Sequence, residues 1–100
     1  MAMLTVVYWR DIPAQVIARA GRQSAKRILP LRFETAIDRA AMRAGLRDSD
    51  SYLGEWRRGE ATPCGDDLEA AASAKADEIE LAYDDDRVHR LVLNGGKEQG

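Results

Sequence analysis

Cys64 and His89 each occur once in the chain, and they are the first places to look for chemistry. A cysteine nucleophile needs a base within hydrogen-bond reach and a third group to orient that base. Nothing in the spacing brings Cys64 and His89 together, and no orienting partner stands out. A structural zinc site needs four ligands, usually in paired spacings, and the chain has no such pairs. Asp84, Asp85 and Asp86 precede His89 closely enough to crowd around one helical start. The triplet lacks the glycine and the distal glutamate of a calcium loop, so helix capping is the simpler account. Neither the P-loop pattern nor the dinucleotide glycine fingerprint occurs, and no helix follows Gly95-Gly96 to aim at a phosphate. These residues predict no catalytic group, no metal and no cofactor, and hence a chain that is not an enzyme.

Cations beside aromatics are the remaining chemistry. Tyr8, Trp9 and Arg10 sit together, Arg19, Arg22, Lys26 and Arg27 cluster further on, and Trp56 precedes Arg57 and Arg58. Strands that carry aromatics among cations can stack bases and meet phosphates. Adjacent strand residues alternate between faces, however, so only one or two of these aromatics can point outward. The pI of about 5.4 also argues against a dedicated nucleic-acid binder. Trp56 has two readings: a core residue between a short helix and a sheet, or an exposed anchor of the type that dominates binding hot spots.

Charge is unevenly spread. Residues 1–58 hold 11 Lys/Arg against 6 Asp/Glu, or +5, while residues 59–100 hold 4 against 11, or −7. Two arrangements follow: halves whose charges attract across the fold, or a basic face free to meet an acidic partner. One hundred residues make one domain, with 45% apolar and 32% charged residues as in folded globular proteins. The single cysteine excludes an internal disulfide and fits a reducing compartment. The apolar run Leu4–Trp9 is too short for a signal-peptide core, and no stretch approaches a membrane helix. The expected location is the cytoplasm, with no membrane association.

The elements that position these residues read as follows. Leu4–Trp9, rich in β-branched and aromatic residues, predicts a strand, and Arg10-Asp11-Ile12-Pro13 a turn. Gln15–Ala20 fits a helix begun at Pro13 or a strand with Gln15, Ile17 and Arg19 on one face. Gly21 follows so soon that a strand and hairpin are favoured. Ser24–Leu29, closed by Pro30, completes a three-stranded antiparallel meander. From Leu31 the period becomes helical: Phe33, Ile37, Ala40 and Ala41 form one stripe, Arg32, Arg39 and Arg43 fall largely opposite, and Gly45 ends it. Asp48 or Ser49 is a cap for a short helix with a Tyr52, Leu53 and Trp56 stripe, ended by Arg57-Arg58-Gly59. Residues 60–65 read as a loop. Asp66 and Asp67 open a third helix that buries Leu68, Ala71, Ala72, Ile79, Ala82 and Tyr83. A last short helix carries Val88, Leu91 and Val92 and stops at Asn94-Gly95-Gly96. The predicted fold is α+β, a small N-terminal antiparallel sheet with three to four helices on one face. Residues 1–94 form the domain and 95–100 a flexible tail.

The segments TVVYWRDIPAQVIARAGRQSAKR (5–27), LPLRFETAIDRAAMRAG (29–45), DSDSYLGEWRRG (48–59) and DDLEAAASAKADEIELAYDDDRV (66–88) resemble the small bacterial virulence factor domain, the family named after conserved virulence factor C. In longer relatives this domain stands beside a NifU-like domain and helical repeats, which implies a scaffold. Free-standing versions are often encoded near genes for corrinoid- and folate-dependent methyl transfer, such as methionine synthesis or cobalamin reactivation. The family has no established catalytic residues to carry over, and "virulence" describes a phenotype of relatives.

The expectation is therefore an accessory interaction module that binds a protein partner through Trp9, Arg10, Arg22, Lys26, Arg27, Arg57 and Arg58. The alternatives are a small component of a corrinoid- or folate-dependent methyl-transfer system and a weak nucleic-acid binder. The sheet edge is also open to pairing with a second copy.

Overall fold

A computed structural model describes residues 2–46 and 49–98. Three strands come first: β1 (Met3–Trp9), β2 (Ile12–Ala20) and β3 (Gln23–Ile28). They form the expected antiparallel meander through two-residue turns at Arg10-Asp11 and Gly21-Arg22. The helices α1 (Leu31–Arg43) and α2 (Ser49–Leu53) follow, then two short strands, β4 (Trp56–Arg58) and β5 (Thr62–Pro63). Both pair with β1 and extend the sheet to five strands, in the order β3-β2-β1-β4 with β5 beside the start of β1. The chain closes with α3 (Leu68–Ala82) and α4 (Asp85–Leu93). The α+β architecture, an N-terminal antiparallel meander followed by helices, is the one the sequence predicts, with β4 and β5 added between α2 and α3.

Strand alternation explains the layering. Val6 pairs with Val16, and Ala18 with Ala25, so these buried residues share one face of the sheet. Helix α3 packs on β2 and β3, and its Ala72, Ala76 and Ile79 join them in one cluster. Alanines at this contact let helix and sheet approach closely. Helix α1 packs on β2 and on α4, and brings Phe33, Ala36, Ile37, Ala40 and Ala41 into the same cluster. The register of β1 and β2 skips Ala14 between the pairs Val7–Gln15 and Tyr8–Pro13, a bulge beside Pro13.

Charged side chains fasten the helices. Arg32 donates to the carbonyls of Tyr83 at 2.6 Å and Glu80 at 3.0 Å, and so satisfies the C-terminal end of α3. Arg43 does the same for α4 through the Leu93 carbonyl at 2.9 Å. Asp67 caps α3 and Asp84 caps α4, each accepting from the amide three residues on.

Several expectations change, among them the loop over residues 60–65, which contains β5 because Thr62 and Pro63 pair with the start of β1. Arg57 and Arg58 do not end a helix: Trp56–Arg58 is an edge strand, because β1 has an open side that three extended residues can pair. Trp56 is not core, being 36% exposed on that edge. Ala82 is exposed on α3 rather than buried. Residues 95–98 are not frayed: Gly95 and Gly96 are buried, and the Asp11 amide donates to the Gly96 carbonyl at 2.8 Å. The proposed cap Asp48 lies outside the described residues, as does the end of the tail at 99–100.

Candidate interaction surface

The distinctive Trp9-Arg10-Asp11-Ile12 segment holds the fold together. Trp9 is fully buried and donates from its indole Nε1 to the Tyr52 carbonyl at 2.9 Å. Arg10 takes a left-handed backbone (φ 54°), so its side chain leaves the turn toward the C-terminal segment. Its Nη1 donates to the Gly95 carbonyl at 2.9 Å and its Nη2 to Glu55 Oε1 at 3.1 Å. Asp11 accepts from Arg57 Nη2 at 3.0 Å and from the Glu98 amide at 2.7 Å. Trp9 is therefore corrected as a partner-facing residue, because an aromatic paired with Ile12 at the core end of β1 has no free surface. Arg10 is occupied as well, with 14% of its side chain exposed.

Arg57 belongs to the same network. Its guanidinium lies over the Tyr8 ring at 4.6 Å, and its Nε donates to the Arg10 carbonyl at 2.8 Å. Arg87 stacks on Tyr83 at 3.9 Å and pairs with Glu98 at 3.1 Å. Tyr8, Asp11, Arg57, Tyr83, Arg87 and Glu98 line one shallow depression, in which both arginines already hold a carboxylate. Burial raises the Tyr83 hydroxyl above its ordinary value, and nearby Arg87 opposes that rise. The arrangement ties β1, β4 and α4 together.

The face of the sheet opposite α3 is different. It carries Met3, Thr5 and Val7 from β1, Gln15, Ile17 and Arg19 from β2, Ser24, Lys26 and Ile28 from β3, and Arg58 from β4. None of these residues is buried, and none is acidic. Arg19 and Arg58 line a common depression of about 280 Å³ together with Thr5 and Ile17. Arg22 stands in the hairpin turn and Arg27 on the β3 edge, both exposed. None of Arg19, Arg22, Lys26, Arg27 and Arg58 forms an ion pair with a described residue. Of the five ion pairs among the described residues, only Arg32–Asp85, at 3.6 Å, joins the two oppositely charged halves. Pairing within the fold therefore leaves this basic surface open.

A second recess lies where β3 meets α1. Ile28, Gln15 and Ile37 meet Tyr52 and Trp56 there, with Glu34 and Asp38 on its helical wall, around a volume of about 260 Å³. The Tyr52 and Trp56 rings are 6.2 Å apart, and Tyr52 in turn stands 5.6 Å from Trp9. Burial first, then the carboxylates of Asp38 and Glu34, push the Tyr52 hydroxyl above its ordinary value.

The structure thus places Arg22 and Lys26 near the β3 end of this face and Arg58 on the far edge strand, whereas Arg27, opposite Val16, lies on the α3 side of β3 and apart from Lys26. Arg19 is the addition to that set, and its place was legible in the alternation of Gln15, Ile17 and Arg19. Cys64 is half-buried beside Ala2, accepting no described side-chain bond, while His89 is exposed on α4. Among the described residues no group of three His, Cys, Asp or Glu side chains converges as a metal site would require. None of their helices is long and apolar enough to cross a membrane.

A family model described as Virulence factor matches residues 7–92. The chain belongs to the Virulence factor family. The matched span begins within β1 and ends within α4, so it takes in part or all of every strand and helix of this Virulence factor domain. No curated protein and no solved structure matches the chain.

Proposed function

We propose that this Virulence factor domain is a non-catalytic interaction module that receives an acidic protein surface on the uncovered face of its sheet. The observation that carries the reading is the run of Arg19, Lys26 and Arg58 across three strands, with no carboxylate among them and no ion pair to any described residue. Arg22 widens the same field at the hairpin, while Arg27, opposite Val16, lies on the α3 side of the β3 edge. Unpaired cations on a strand face attract an oppositely charged partner and steer its approach.

Affinity purification with the intact chain, followed by mass spectrometry, tests this. A partner is expected that carries an acidic surface, is released by salt, and is lost when Arg22, Lys26 and Arg27 are replaced by alanine. The same is expected of an Arg19, Lys26 and Arg58 triple alanine variant. Retention of the partner by both variants discards the surface, and recovery of nucleic acid in its place discards the protein partner.

A further inference from the structure

We infer that the recess between β3 and α1 is a second, independent docking site, which takes a peptide segment with one large apolar side chain flanked by lysine or arginine. Its apolar part is unusually exposed. Ile28 is 70% exposed at the end of the edge strand, and Trp56 is 36% exposed on β4. Its charge is opposite to that of the sheet face. Glu34 and Asp38 fall at i and i+4 of α1 and both line the recess, so two acidic side chains share a stripe along its rim. Neither Glu34 nor Asp38 is ion-paired with a described residue. Both nevertheless act on Tyr52 across the recess.

An apolar floor with unpaired carboxylates on one wall complements a cationic, apolar-anchored peptide. An acidic segment there would face repulsion from both carboxylates. The volume of about 260 Å³ lies at or below the ~300–1,000 Å³ typical of small-molecule sites, which suits a side-chain anchor better than a cofactor. The site differs from the sheet face in its carboxylate wall and its opposite charge, and meets that face only along Gln15 and Ile28 at their common border.

Panning a phage library of random peptides against the immobilised intact chain tests the inference. Enriched sequences are expected to pair a Leu, Ile or Phe with adjacent Lys or Arg. Capture of those clones should fall about tenfold with Glu34→Gln and Asp38→Asn combined, and likewise with Trp56→Ala. The carboxylate variants are isosteric and exposed, so they separate lost binding from lost folding. An Arg19, Lys26 and Arg58 triple alanine variant should capture the clones undiminished, which distinguishes this site from the sheet face. Acidic consensus sequences, no enrichment, or capture indifferent to the carboxylates would overturn the inference. So would a dimer in sedimentation that dissociates on Trp56→Ala, since a second copy would then be the occupant.

Discussion

Gly96 lies flat against the Trp9 ring: a Cβ added at Gly96 would come within 2.8 Å of Trp9 Cζ3. Gly96 also has φ of +94°, a conformation that side chains rarely adopt. Gly96→Ala should therefore destabilise the protein by roughly 2–4 kcal/mol, combining backbone strain with an overpacked core. Gly45→Ala is the control. Its φ is +77° but nothing stands within 4 Å, so only the backbone term, about 1 kcal/mol, applies. Urea denaturation of both variants checks the difference, and equal losses would mean that the ring contact does not form.

The two tryptophans should behave as opposites. Trp9→Phe removes a buried hydrogen bond to the Tyr52 carbonyl and leaves a void, for a loss of roughly 2–3 kcal/mol. Trp56→Phe, on an exposed edge, should change stability by less than about 0.5 kcal/mol. Emission from the Trp56→Phe protein, where only Trp9 remains, should be blue-shifted and resistant to iodide. Emission from the Trp9→Phe protein should be readily quenched. Equal quenching of the two would place Trp9 outside the core.

The meander, α1 and the caps of α3 and α4 were legible because local signals agree there: short β-branched runs, glycine turns, a helical stripe and aspartates at helix starts. The short strand at Trp56–Arg58 was not. Three residues carry no period, and their extended form comes from pairing with β1, 47 positions away for Trp9 and Trp56. Gly95-Gly96 reads as a stop signal followed by fraying, and only Arg10 and Asp11 show why it is ordered. For the surface, residue type gives only a basic first half. Which arginines are free depends on partners far along the chain. Arg57 meets Asp11 and Arg10 meets Gly95, while Arg19 meets neither.

Arg32 and Arg39 lie on the same helix, but only Arg32 holds another element in place. It donates to two carbonyls at the end of α3 and lies over the Phe33 ring at 4.3 Å. Arg32→Met should cost about 1–2 kcal/mol by freeing those carbonyls. Arg39→Met, at an exposed position without a described partner, should be close to neutral. Thermal melts at low and high salt check this, and the Arg32 deficit should persist at high salt because its bonds are partly buried.

Tyr52 makes the protein sensitive to alkali in a way that reports on the second recess. Its hydroxyl ionises above the ordinary value of 10.0 in the folded state, chiefly through burial and secondarily through Asp38 and Glu34. The folded state therefore favours the neutral phenol more than the unfolded chain does. The stabilisation linked to this is complete below pH 10, and is lost as pH rises through the folded value. Tyr83 adds a loss of the same sign, again led by burial. Tyr52→Phe should shallow the decline of the urea midpoint above pH 10. Glu34→Gln with Asp38→Asn should lower the tyrosinate titration of Tyr52 only part of the way, because burial, the larger cause, remains. Raising the salt should mimic that partial change, since salt screens the carboxylates and not the desolvation. If the two carboxylate substitutions leave the tyrosinate absorbance curve unmoved, Glu34 and Asp38 do not face the ring, and the acidic wall of the recess is not where it stands here.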